Sequence, residues 1–194
     1  MHKNLRFLLM GSAFLLVASA AQAHTGSGST HGFMHGAEHP FGGLDHLLAM
    51  VAVGLWAAQL GGRSLWAVPL TFVGIMAVGG MLGMAGIGMP FVEIGILGSV
   101  LALGVIVAAA VRLPLGWSMA LVGFLALFHG QAHGAEMPAD SSGIAYAAGF
   151  VLATAVLHAS GIAIGILFKN LSTPLLTRVA GACVAILGVW LVVN

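Results

Sequence analysis

Long apolar runs, broken at regular intervals by short clusters of glycine, proline and basic residues, dominate the chain from Phe41 to Val193. They divide into six predicted helices at Phe41 to Leu60, Leu65 to Ala85, Phe91 to Val111, Leu115 to His133, Gly143 to Phe168 and Leu175 to Val193. Each is near the roughly twenty residues that cross about 30 Å of hydrocarbon at about 1.5 Å per residue. Upstream, Lys3 and Arg6 precede an apolar stretch from Leu5 to Val17 and the small-residue triplet Ala21-Gln22-Ala23. That order reads as a secretory signal peptide over residues 1–23, cleaved to leave His24 first. Residues 24–40 begin HTGSGSTHGFMHGAE, polar and glycine-rich without helical periodicity, and read as an exported, flexible, histidine-bearing segment.

Composition changes the class of solvent. With 60% hydrophobic and 6% charged residues and a mean hydropathy of +1.08, the chain is far from the roughly 25% charged residues of soluble domains. The expected fold is therefore all-α, a polytopic membrane bundle of six transmembrane helices over residues 41–194, with the lipid bilayer as a partner. No phosphate-binding loop or dinucleotide fingerprint occurs, so ATP hydrolysis by this chain is not expected. The single cysteine, Cys183, excludes an intrachain disulfide and a paired-cysteine metal site. Neither a prosthetic cofactor nor nucleic acid is expected, and a homo-oligomer is left open.

Charge fixes an orientation. Arg63 follows the first helix, Arg112 the third, and Lys169 with Arg178 flanks the fifth-to-sixth turn, so all four fall on one side of the six-helix arrangement, which the positive-inside rule makes cytoplasmic. Both termini of the mature chain would then be exported. Without the leader, four basic residues stand against five acidic ones, and Glu38, Asp45, Glu93, Glu136 and Asp140 all lie towards the exported side. An acidic mouth set in apolar surroundings attracts cations.

Two clusters carry the chemistry. Ionisable side chains within a bilayer cost about 3 kcal/mol each on insertion scales, so their grouping marks a substrate or ion pathway. His129 and His133 are four residues apart with Glu136 three further on, which places all three on one face if the helix continues through Gly134. His46 and Met50 are similarly one turn apart, with Asp45 beside His46 as an orienting carboxylate or a group facing another helix. His39 and Pro40 open that helix. Imidazole and carboxylate together make His39, Asp45, His46, His129, His133 and Glu136 the candidate metal site. His24, His31, His35, Met50 and His158 are further candidates. By depth the groups form a ladder, with His24, His31, His35, His39 and Glu136 outermost, then Asp45, His46, His133 and His129, then His158. The bland alternative for His158 is a satisfied core histidine, and for the methionines it is core filling. Gly79/Gly83, Gly130/Gly134 and Gly161/Gly165 have the small-xxx-small spacing of closely packed membrane helices.

The segment HPFGGLDHLLAMVAVGLWAAQLGG closely resembles the signature of the HupE/UreJ family of bacterial membrane proteins, and FHGQAHGAEMP resembles that family's second histidine motif. The resemblance implies a nickel permease of the inner membrane, with cobalt as a substrate in some members, supplying hydrogenase or urease maturation. It implies functional roles for His39, Asp45 and His46 in the first motif and for His129, His133 and Glu136 in the second. An enzyme is not expected. The competing readings are an intramembrane zinc-dependent hydrolase and an accessory subunit that delivers metal without transporting it.

Overall fold

The computed structural model describes residues 29–137 and 142–193. Among the described residues the chain forms seven α-helices and no strand: α1 Ser29–Gly42, α2 Leu44–Leu60, α3 Ser64–Met84, α4 Val92–Ala108, α5 Leu115–Ala135, α6 Gly143–Asn170 and α7 Pro174–Val193. The expected leader and cleavage site, His24 and Asp140 lie outside the described residues. Apolar side chains such as Leu70, Phe124, Ile144 and Ile186 are exposed on the outer surface, where only lipid offers them a comparable solvent.

All six helices expected from the apolar runs are present, but two differ from the simple span. Helices α3, α5, α6 and α7 are each long and apolar enough to cross a membrane. Helices α1 and α2 meet that test only as a pair bent by 82° at Gly43. Helix α4 has 17 residues, about 25 Å at the helical rise. It stops early because Ala110 turns into the left-handed region at φ 53°. The Val111 amide then bonds back to the Ile106 carbonyl at 3.0 Å. By length and composition the described residues therefore hold four candidate spans, or five with the bent pair.

The expectation of an irregular segment before Pro40 is corrected from Ser29 onward, where the chain is helical. Its glycines count against intrinsic helicity, yet they allow α1 to lie directly on α6. A Cβ on Gly36 would fall on the Tyr146 carbonyl, and one on Gly149 on the Phe33 carbonyl. Packing with a distant partner, not local propensity, holds this helix.

Glycine contacts set the rest of the bundle as well. Gly130 and Gly134 of α5 lie against the Met76 and Gly80 carbonyls of α3, while Gly54 and Gly161 bring α2 onto α6. Gly104 and Gly181 do the same for α4 and α7. Backbones this close gain dispersion contacts that replace the missing hydrophobic drive between helices in lipid. At the end carrying the basic residues, three side chains grip the last turn of α4 and the loop after it. Gln59 Nε2 donates to the Val107 carbonyl, Arg178 Nε to Ala108 and Trp56 Nε1 to Val111, at 2.9, 2.8 and 2.9 Å. The opposite end of the bundle gathers the N-termini of α2 and α6 and the C-terminus of α5.

Candidate metal centre

At that opposite end the break at Gly43 puts Asp45 and His46 in the first turn of α2. Asp45 Oδ1 accepts the His46 backbone amide at 2.8 Å and pairs with His46 Nδ1 at 2.9 Å. An ionised carboxylate only accepts, so Nδ1 carries the proton and the lone pair lies on Nε2. His46 Nε2 is buried and has no protein partner. This is the arrangement in which a carboxylate fixes both the tautomer and the ring angle of a metal-binding histidine.

Helix α5 runs to Ala135, through Gly134, and so carries His129 and His133 on one inward face. Both are buried, at 0% and 3% exposure. The rings form an unbroken series. His39 lies 4.6 Å from His133, His133 lies 4.2 Å from His46, and His46 lies 4.7 Å from His129, centroid to centroid. Four rungs of the expected ladder, His39, His133, His46 and His129, are thus in direct contact, contributed by α1, α2 and α5.

Its outer end is half-open. His39 Nε2 lies 3.4 Å from Glu136 Oε2, and the Glu136 side chain is 57% exposed. One donor atom from each of His39, His133 and Glu136 lies within 4.8 Å of the others. Donors each about 2.1 Å from one ion stand at most about 4.2 Å apart. Side-chain adjustments of under about 1 Å therefore close this group around a cation. Both ring nitrogens of His133 lack a protein partner, so either can serve.

Its inner end is anchored by a residue that the sequence reading missed. Ser99, on α4, is fully buried, donates its hydroxyl to the Ile96 carbonyl at 2.6 Å and meets His129 Nε2 at 2.6 Å. A hydroxyl has one proton, so His129 Nε2 must donate and Nδ1 keeps the lone pair. That nitrogen is buried and unpaired with protein. The only signal in the sequence was a lone hydroxyl in an apolar run. Tyr146 and Phe150, stacked on α6, were missed too; Phe150 packs against His133 at 4.0 Å and Tyr146 edges His39 at 5.9 Å.

The further candidates separate from this cluster. Among the described residues His35 has no ring contact or ion pair, although it lies one turn before His39 on α1. The His31 side chain lies outside the described residues, as does His24. Met50 is fully buried in the apolar core and His158 lies deeper on α6. A cleft of about 320 Å³ between α3, α5 and α6 reaches His133, but Met76, Met84 and Phe150 line it. Such a surface offers a hydrated cation few ligands, whereas Glu136 and His39 lie at the half-open end of the ring series.

The sequence model of the family described as HupE / UreJ protein matches residues 12–191. The chain is also 46% identical over 182 residues to "Protein HupE" of Rhizobium leguminosarum bv. viciae, covering 94% of this chain and 95% of that one. No solved structure matches.

Proposed function

The chain belongs to the HupE / UreJ family, and from that footing we propose that it is a membrane permease for a divalent transition-metal cation. The cargo is nickel in first place, with cobalt as a second substrate, and it supplies metalloenzyme maturation. One observation carries the reading: four histidine rings in unbroken contact lead from half-buried His39 to fully buried His129. A permease needs successive ligands that replace water as the ion descends. Glu136 attracts the cation at the mouth, His39 and His133 take it up with Glu136, and His46, held by Asp45, and then His129 pass it inward. The metal's identity rests on the family, because imidazole suits nickel, zinc and copper alike.

In this reading the six helices α2 to α7 all cross a bacterial inner membrane after cleavage of the leader. The end with Arg63, Arg112, Lys169 and Arg178 faces the cytoplasm, and both termini of the mature chain are periplasmic. No prosthetic group takes part, and the chain is not an enzyme. The test is uptake by proteoliposomes holding the purified protein alone, with nickel, cobalt, zinc and copper compared. Saturable nickel uptake supports the permease. Metal binding without uptake would make the chain a delivery subunit, and metal-dependent lipid hydrolysis by the same preparation would make it an enzyme.

A further inference from the structure

Beyond His129 the core holds a second group of polar atoms that the outer cluster does not use. His158 on α6 is 2% exposed, and Thr154, one helical turn earlier on the same face, is 0% exposed. Neither nitrogen of the His158 ring has a protein hydrogen-bond partner, and neither does the Thr154 hydroxyl. Buried polar groups kept for packing are nearly always paired, as His129 is through Ser99. Three unpaired polar atoms one turn apart in an apolar core are available to a ligand.

The position of His158 relative to the outer rings gives it a place in a sequence of sites. The Phe72 ring of α3 lies 5.7 Å from His129 and meets His158 edge-on at 5.2 Å, so one aromatic ring separates the last outer histidine from the inner one. The inner histidine is also held firmly. α2 and α6 touch backbone to backbone here, with the His158 carbonyl where a Cβ on Gly54 would stand. Further towards the basic end, Trp56 and Val107 are fully buried.

We propose that His158, with the Thr154 hydroxyl as a weaker oxygen donor, is an inner binding site for the divalent cation, filled from His129 past Phe72. This rests on the permease reading and adds a second station to it. A site with one imidazole and one hydroxyl binds more weakly than the outer cluster, as conduction requires of a station the ion must leave.

The test uses the purified full-length protein and three variants, His158→Leu, His158→Gln and Thr154→Val. Cobalt is titrated by its visible absorption, nickel by calorimetry, and initial nickel uptake is measured in proteoliposomes over a range of external metal. Removing a residue that only orients a ligand costs about 10- to 100-fold, so losing the ligand itself should lower the maximal rate by at least about tenfold. The KM for external nickel should stay within about twofold, because capture belongs to the outer cluster. His158→Leu and His158→Gln should each lose the weaker of the bound metal equivalents, and Thr154→Val should weaken it. His158→Leu should be at least as heat-stable as the parent, since it removes unpaired polar atoms. Parental stoichiometry and parental uptake in His158→Leu would overturn the proposal and make His158 a packing residue. Should that variant fail to fold, the same outcome in His158→Gln overturns it. Absence of uptake by the parent protein would instead refute the permease, while the titrations still decide whether His158 binds metal.

Discussion

Replacing Asp45 separates orientation from ligation, because its carboxylate holds His46 without being the most exposed donor of the cluster. In the parent, Oδ1 serves both the His46 amide at 2.8 Å and His46 Nδ1 at 2.9 Å, leaving Nε2 free. In Asp45→Asn the amide oxygen can still accept both bonds, so the ring angle survives and only the negative charge that raises imidazole basicity is lost. In Asp45→Ala both go, and the ring is free to turn. Loss of such a partner costs about 10- to 100-fold in metal affinity, or about 1.4 to 2.8 kcal/mol. Asn should fall near the lower figure and Ala near the upper one. Both variants also lose a carboxylate from the first turn of α2, worth about 0.3 to 1 kcal/mol of helix stability. Nickel calorimetry on purified protein, with circular dichroism to confirm the fold, measures both effects. Parental nickel affinity in Asp45→Ala alongside weakened binding in His46→Ala would refute the orienting role, and so would tighter binding by Ala than by Asn.

Three further outcomes follow from the same geometry. Gly36→Leu should drive α1 off α6, because its side chain must enter the space of the Tyr146 carbonyl; uptake should fall to the level of His39→Ala, and uptake equal to the parent would refute the docked α1. Ser99→Ala leaves His129 Nε2 unpaired in the core, at a cost of about 1 to 3 kcal/mol, so the unfolding temperature and the nickel uptake rate should both drop; an unchanged melting curve would contradict the Ser99 to His129 bond. Neutral imidazole binds metal and imidazolium does not, and burial holds His39 below the ordinary imidazole value, so the KM for nickel should rise only as the pH falls below about 6.5, an effect offset by more metal; a KM that stayed flat down to about pH 4.5 would count against His39 as a ligand.

Much of this molecule could be read from the order of its residues, and the reasons for the rest are physical. The apolar runs end where Gly61-Gly62-Arg63, Arg112-Leu113-Pro114 and Thr173-Pro174 interrupt them, and the helix ends fall close by: Leu115–Ala135 against an expected Leu115 to His133, and Gly143–Asn170 against Gly143 to Phe168. Local chemistry at an apolar boundary suffices for that. The same logic recovered the shared face of His129 and His133, since four-residue spacing is a property of one helix. Helix α1 was missed because its support is Tyr146 and Gly149, more than a hundred residues away. Ser99 was missed because a serine between Gly98 and Val100 looks the same whether or not a histidine lies opposite.

The break at Gly43 explains why the two motifs form one cluster. His39 and His46 are seven residues apart, which on a straight helix would set them about 10.5 Å apart along the axis. No single imidazole from another helix could touch both at that spacing. The 82° bend between α1 and α2 folds His39 back towards His46, and both rings then reach His133, at 4.6 and 4.2 Å. His133 is accordingly the ring that joins the exposed end of the series to its buried end, and Phe150 at 4.0 Å holds it there. The glycine pair 42–43 thus does for the first motif what helical continuity through Gly134 does for the second. One breaks a helix so that its histidines converge, and the other preserves a helix so that His129 and His133 stay aligned beneath them.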